Sequence, residues 1–142
     1  MDNRLKIEIV TCPIKSPIRN AVISFTEMTI SVIRISYLYS GKLLNGYGFC
    51  SNGRYAQNEI VLKRFIPRLN NSDSNLLIDE NGIFSPTRCW SIFMQNEKPG
   101  GHGDRAVAAG ALDMAFWDAY AKAYEKPLWK ILSEQFNQHQ SD

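Results

Sequence analysis

The first third of the chain alternates between hydrophobic and polar positions, and this alternation predicts β-structure. Residues 5–10 follow a period of two, which is typical of a strand that buries one face. A second strand is predicted through residues 21–25 and on through 30–39, because Ile, Val, Thr and Tyr favour a pleated, half-buried surface. Residues 40–42 predict a turn, and residues 43–49 predict a third strand. Three strands joined in this way form an antiparallel meander.

Prolines interrupt this pattern between the first two predicted strands. Pro13 and Pro17 bracket residues 13–20, and proline restricts both its own backbone and that of the residue before it. We therefore expect a loop over residues 13–20.

The hydrophobic period lengthens to that of a helix in the second half of the chain. Residues 58–69 place four apolar side chains on one helical side: Ile60, Val61, Phe65 and Leu69. Pro67 is expected to disturb this helix or to start a new turn. Ser85 and Pro86 favour the start of another helix, with serine as the N-cap and proline at the first helical position. The apolar stripe of that helix is predicted to comprise Trp90, Phe93 and Met94.

Two further helices are predicted near the end of the chain. Asp104 is expected to cap the first of them, and Pro127 to end it and to open a short last helix over residues 128–136. The inner face of the longer helix is predicted to comprise Val107, Ala111, Met114 and Ala121.

Strands followed by helices indicate an α+β fold. We predict one domain over residues 1–136, built from a three-stranded antiparallel meander and a bundle of three to four helices, with a disordered tail over residues 137–142. The composition fits a folded domain, since 44% of the residues are hydrophobic and 21% are charged.

Charge and cysteine content narrow the range of functions. The net charge of +2 gives no reason to expect a nucleic acid or an acidic membrane surface as a partner. No apolar run approaches the roughly 20 residues that span a bilayer, and the N-terminus has no apolar signal core, so we expect a cytoplasmic protein. Three widely spaced cysteines suit buried free thiols rather than a disulfide framework, and two histidines cannot form a zinc site.

Two glycine-rich segments are candidates for chemistry. Residues 45–55 expose amide, hydroxyl and guanidinium groups after the third strand, and residues 96–105 hold three glycines in four positions just before a helix. Backbone N–H groups at a helix N-terminus can bind an anion, but neither segment has the sequence of a known phosphate loop. A flexible turn that ends one helix and caps the next explains the second segment equally well.

The ionisable residues near these segments have both a functional and a structural interpretation. Lys98 can neutralise a carboxylate or be a solvated surface charge, and His102 has no partner acid that the sequence identifies. Asp113 and Asp118 diverge by about 140° around a helix, so they do not form a general acid and base pair. Asp118 is instead expected to make a salt bridge or to cap a neighbouring element.

Several of these segments together resemble the enolase superfamily, of the mandelate racemase and muconate lactonizing enzyme type. The long helix carries the pattern of the superfamily's N-terminal capping domain over residues 110–118, Gly-Ala-Leu-Asp-Met-Ala-Phe-Trp-Asp, followed by Lys-Pro-Leu at 126–128. Residues 16–20, 46–55 and, above all, 96–105 resemble the D-tartrate dehydratase branch. The similarity extends over residues 5–132.

The resemblance implies a fold and a reaction. Members of the superfamily place a capping domain of strands and helices over a (β/α)8 barrel, which abstracts a proton α to a carboxylate and stabilises the enediolate with Mg²⁺. In the dehydratases hydroxide then leaves, so that tartrate gives oxaloacetate and water. We expect that the barrel is absent here, that none of these 142 residues is catalytic or binds the metal, and that the chain alone is inactive. The resemblance implies substrate contacts for Asn20, Asn52 and Lys98.

Three alternatives remain open from the sequence. The chain is either the specificity-determining half of a hydro-lyase that needs a barrel, or a non-catalytic remnant or interaction module. A small-anion binding protein that uses the second glycine-rich segment is a third possibility. The resemblance also predicts self-association through a face that a barrel covers in the family, with Trp117 or Trp129 on that face.

Overall fold

The computed structural model describes residues 5–22, 24–26, 28–51, 57–98 and 103–137. Three strands come first: β1 (Lys6–Ile14), β2 (Met28–Tyr39) and β3 (Lys42–Ser51). The helical part follows: α1 (Gln57–Ile60), a π-helical turn (Val61–Phe65), α2 (Ile66–Asn70), a 3-10 turn (Ser74–Leu76), α3 (Pro86–Phe93), α4 (Asp104–Ala123) and α5 (Leu128–Phe136).

The strands form one antiparallel sheet in the order β1-β2-β3, which confirms the predicted meander. Ile9 pairs with Ile33, and Ile33 pairs with Gly48. The turn between β2 and β3 has positive φ at both central residues, 49° at Ser40 and 77° at Gly41. This backbone suits the right-handed twist of the two strands that it joins.

The predicted bounds of the first two strands were wrong. β1 continues through Pro13 to Ile14, where a loop was expected, and an edge strand tolerates a proline because its outer N–H groups have no partner strand. β2 begins only at Met28. Of residues 21–25, the described ones lie outside β2, and Ser24 forms an isolated bridge with Arg19. The Phe25 N–H donates to Ile18 O at 3.0 Å across the same turn.

Proline shapes the first helical segment as predicted. Pro67 lies in the first turn of α2, directly after the π-helical turn. In that turn the Ile66 N–H donates to Val61 O, five residues back. Proline has no N–H and crowds the preceding turn, and the wider π-helical geometry accommodates both effects.

The predicted N-cap of α3 is confirmed, whereas the predicted N-cap of α4 is wrong. Ser85 caps α3 and accepts from the Arg88 N–H at 3.5 Å, as predicted. Asp104 is not a cap: Gly103 is the N-cap of α4, with φ of 82°, and Asp104 is the first helical residue. A carboxylate in that first turn still interacts favourably with the helix dipole. Pro127 precedes α5, whose bounds match the prediction.

The core lies between one face of the sheet and α4. Alternate β2 residues, Ile33, Ile35 and Tyr37, are buried on that face. The buried stripe of α4 comprises Ala108, Ala109, Ala111, Leu112, Ala115, Phe116, Ala119, Tyr120 and Ala121. Met114, which was predicted to point inward, is 44% exposed. Cys50 and Cys89 are buried, but Cys12 is exposed, contrary to expectation.

The sheet and helices together confirm the α+β class, and no further strand that would start a barrel occurs in the described ranges. Within those ranges, no helix is long and apolar enough to cross a bilayer. Of the predicted tail, only Asn137 lies among the described residues.

Candidate functional site at the loop end of the sheet

Three segments of the chain meet at one end of the sheet. Ile14 at the end of β1 pairs with Met28 at the start of β2, and Ser51 at the end of β3 pairs with Ile30. The end of β1, the start of β2 and the end of β3 therefore lie at the same end of the sheet.

Helix α4 brings the third segment to that end. A Cβ on Gly48 would lie 1.9 Å from Ala111 O, and one on Gly46 would lie 2.1 Å from Ala115 O. β3 and α4 therefore run in opposite directions. The N-terminus of α4 lies near Ser51, at the end of β3. We call this end, with the described residues 15–22, 24–26, 51, 97, 98, 103 and 104, the loop end.

The glycines of the first candidate segment have a packing role. Gly46 and Gly48 belong to β3, and a side chain at either position would collide with the backbone of α4. Glycine is required where two backbones approach this closely. The sequence signal at residues 45–49 therefore reports the contact between a strand and a helix rather than a ligand loop. Residues 52–55 of this segment lie outside the described residues.

Polar side chains tie the strand ends together beneath the loops. Ser31 is fully buried, and its hydroxyl group donates to Asn58 Oδ1 at 2.6 Å. Thr11 Oγ1 lies 3.0 Å from Ser31 Oγ and also accepts from Asn58 Nδ2. Gln57 is buried, and its Nε2 donates to Ser51 O at 3.2 Å. β1, β2, β3 and α1 are thereby joined at the loop end.

The structure describes two of the three predicted substrate contacts. Asn20 is exposed, and its Oδ1 accepts from the Val22 N–H at 2.9 Å. Lys98 is exposed at the start of the glycine-rich segment. Asn52 lies outside the described residues, as does His102. The topology therefore brings the segments of Asn20 and Lys98 to the same end of the sheet.

A charged cluster lies next to Lys98, at Glu97. Its carboxylate is 5% exposed and faces three guanidinium groups: Arg64 Nε at 3.2 Å, Arg68 Nη1 at 2.8 Å and Arg105 Nη1 at 3.4 Å. Burial acts to raise the pKa of Glu97, but the Arg68 hydrogen bond, the charges of Arg64 and Arg68, and Arg105 together lower it. The cluster is therefore an ionised carboxylate surrounded by cations.

Sequence reasoning did not single out Glu97 or its partners. The Arg105 side chain is only 22% exposed and reaches Glu97. The only available signal was the number of charges in residues 96–105. Arg64 and Arg68 lie about 30 positions earlier in the chain, so no local pattern connects them to Glu97.

The two aspartates of α4 have separate partners, as the helical geometry predicted. Asp118 Oδ2 accepts from the Tyr47 N–H at 2.8 Å and from Lys122 Nζ at 2.6 Å. Asp113 is partly buried, which raises its pKa to about 6, while a hydrogen bond from Trp117 acts in the opposite direction. Among the described residues, no group of three or more His, Cys, Asp or Glu side chains fits a metal ion.

Comparisons with known proteins agree with this architecture. Residues 4–133 match the family described as mandelate racemase / muconate lactonizing enzyme, N-terminal domain. A solved mandelate racemase/muconate lactonizing enzyme-like protein from Rubrobacter xylanophilus is 21% identical, with a TM-score of 0.56 over 91% of this chain and 32% of that chain. A solved mandelate racemase/muconate lactonizing enzyme is 20% identical, with a TM-score of 0.58 over 91% of this chain and 33% of that chain.

The fold is that of the N-terminal domain of enolase-superfamily enzymes. Because the family match extends over most of its length, the chain belongs to the mandelate racemase / muconate lactonizing enzyme N-terminal domain family. It spans about a third of the length of the two solved structures that it matches.

Proposed function

We propose that this domain determines substrate specificity in an acid-sugar dehydratase that resembles D-tartrate dehydratase. The observation that supports the proposal most is the convergence of the end of β1, the start of β2, the end of β3 and the N-terminus of α4 at the loop end. Loops that converge in this way can close over the mouth of a catalytic barrel. Such closure excludes water and provides contacts to the part of the substrate that does not react.

The proposed function divides the work between two domains. The reaction removes the proton α to one carboxylate and expels hydroxide from the neighbouring carbon, and the resulting enol becomes the ketone of oxaloacetate. In the superfamily Mg²⁺ stabilises the enediolate, and its ligands, like the proton-transfer groups, belong to the barrel. The residues of this chain are assigned binding, orientation and the exclusion of water.

Within this domain, Lys98 is assigned to the distal carboxylate of a tartrate-like diacid. Loop closure removes water from that carboxylate, and a buried carboxylate without a partner is costly. An ammonium group on a flexible stem provides a point contact that offsets this cost. Asn20 and Asn52 are assigned to the substrate hydroxyl groups, which a carboxamide can both donate to and accept from.

A non-catalytic interaction module is the second candidate function. It is favoured by large apolar side chains on α5 that remain in water: Trp129 is 70% exposed and Phe136 is 61% exposed. Exposed apolar groups of this size mark a surface that another protein covers. A barrel domain, a second copy of this chain or an unrelated partner would each cover it.

The proposed function is tested by joining this chain, after Leu132, to the catalytic barrel of a homologous dehydratase. The linked protein is assayed with Mg²⁺ and a panel of acid sugars, with the barrel alone and the 142-residue chain alone as controls. We expect D-tartrate to give oxaloacetate only in the linked protein. A folded linked protein that turns over no acid sugar, or that prefers acids without a second carboxylate, contradicts the proposal.

A further inference from the structure

The position of Glu97 between the glycine-rich segment and two helices gives it a role beyond stability. We propose that Glu97 is the positioning residue for Lys98, an inference that rests on the proposed function. The carboxylate of Glu97 fixes the backbone that enters Lys98 and neutralises arginines that otherwise compete with Lys98 for an anionic substrate.

The first argument is geometric. Arg105 is the second residue of α4, and its Nη1 lies 3.4 Å from Glu97 Oε2, so this contact links Glu97 to the start of α4. On the other side, Arg68 Nη1 donates to Glu97 Oε1 at 2.8 Å and to Phe93 O at 2.7 Å. Glu97 therefore connects α2, the end of α3 and the start of α4 to one point, and Lys98 is the next residue.

The backbone supports the same conclusion. Asn96 adopts a positive φ of 63°, and the Glu97 N–H donates to Met94 O at 3.0 Å, so the chain turns sharply where it leaves α3. The Glu97 side chain is the anchor that follows this turn, at 5% exposure. Lys98, the next residue, is exposed, so its backbone enters solvent directly from this anchor.

The second argument concerns charge. Three guanidinium groups and one carboxylate leave an excess of positive charge beside Lys98. Arginine binds carboxylates in a bidentate geometry, so an arginine released from Glu97 is a strong competitor for the distal carboxylate. With Glu97 ionised, its oxygens engage all three arginines. The distal carboxylate is then left to Lys98.

Two changes in the barrel-linked protein separate positioning from stability. Glu97→Gln keeps the size of the side chain and removes its charge. Glu8→Gln is the matched control, because Glu8 also pairs with a cation, Lys6 at 2.8 Å, but lies near the start of β1. Arg105→Gln is a second variant, for the case that Glu97→Gln unfolds the domain. It removes only the ion pair between Arg105 and Glu97. Each variant is also combined with Lys98→Ala, and the kcat/KM is measured with a diacid substrate.

We expect Glu97→Gln to lower kcat/KM about 10- to 100-fold, the scale of a misplaced substrate-binding group, and Glu8→Gln to leave it unchanged. In the Lys98→Ala background, Glu97→Gln should change kcat/KM less than about twofold, because residues that act through one another are not additive. Arg105→Gln should show the same dependence on Lys98, with a smaller loss.

The possible results distinguish this proposal from the proposed function. If Lys98→Ala lowers kcat/KM but the effect of Glu97→Gln is absent, or is equally large without Lys98, Glu97 is not a positioning residue and the proposed function stands. If Lys98→Ala has no effect on the diacid, the proposed substrate contact is wrong, and the assignment of Glu97 fails with it.

Discussion

Asp118 on α4 holds the outer edge of the sheet through Tyr47, whose backbone N–H donates to Asp118 Oδ2 at 2.8 Å. One turn further along the helix, Lys122 Nζ donates to Asn45 O at 3.0 Å and to Asp118 itself at 2.6 Å. Two groups on the outer edge of β3 are therefore satisfied by helix side chains. An open strand edge is otherwise available for pairing with another chain.

Asp118→Ala is expected to lower the free energy of unfolding by about 1–2 kcal/mol, since a charged hydrogen bond is lost at a site that water partly reaches. The amide proton of Tyr47 should also exchange faster with solvent, because no strand protects it. Urea denaturation and hydrogen exchange measure the two effects. Glu134→Ala, which breaks an exposed ion pair, is the control and should cost less than about 0.5 kcal/mol. Equal losses in the two variants would contradict a special role for Asp118.

A methyl group at Gly48 should destabilise the domain far more than one at Gly110. The added Cβ of Gly48→Ala meets the backbone oxygen of Ala111, so the helix must move, and we expect a loss of about 3 kcal/mol or more. At Gly110, on the same helix, a Cβ meets nothing within 4 Å. There the alanine should stabilise α4 by about 0.5–1 kcal/mol. Thermal unfolding of both variants tests the close approach of β3 and α4. Similar changes in stability for Gly48→Ala and Gly110→Ala would contradict it.

The partly buried carboxyl group of Asp113 predicts a pH dependence of stability. Its pKa is raised from 3.8 to about 6 on folding. Between these values the folded chain binds more protons than the unfolded chain, so this group lowers stability as pH rises from about 4 to 6. Discounted for partial exposure, the cost at pH 7 is roughly 1–2 kcal/mol.

Asp113→Asn should remove that cost while its carboxamide still accepts the hydrogen bond from Trp117. We expect the variant to be more stable than the parent chain at pH 7 and to match it at pH 4. Urea denaturation at a series of pH values gives the comparison. A variant that is less stable at pH 7 would show that the ionised carboxylate is needed there.

The apolar side chains exposed on α5 predict self-association of the 142-residue chain. Trp129 is 70% exposed, whereas Trp117 is half-buried and packs edge-on against Tyr120 at 5.9 Å. Of the two tryptophans predicted to lie on the self-associating face, Trp129 is therefore the one that remains a candidate. Sedimentation velocity should show a concentration-dependent increase in size that Trp129→Lys reduces and Trp90→Lys, on α3, does not. A chain that stays monomeric at high concentration would contradict this prediction.

The elements that the sequence predicted well are those set by local chemistry. The turn at Ser40 and Gly41, the cap at Ser85 and the disturbance before Pro67 each depend on residues within a few positions of one another. The elements that it missed depend on distant partners. Gly46 and Gly48 were interpreted as parts of a ligand loop because the helix that needs them lies about 65 positions later.

The same distinction applies to the candidate site. Lys98 and Asn20 were selected through resemblance, and the topology that brings their segments to one end depends on strand pairing and on the packing of α4. The Glu97 cluster joins residues from three separate elements, so no local sequence motif indicates it. Residues that bind are recognisable by their chemistry, whereas residues that hold them in place become visible only in the fold.

The most direct test of the central claim compares two substrates in the barrel-linked protein. Lys98→Ala should lower kcat/KM for a diacid about 10- to 150-fold, since a charge-assisted hydrogen bond contributes roughly 1.5–3 kcal/mol and each 1.4 kcal/mol is tenfold. For a substrate with a neutral distal end, the loss should be much smaller. Equal losses on both substrates would contradict the contact between Lys98 and the distal carboxylate, and no loss on either would place that carboxylate elsewhere.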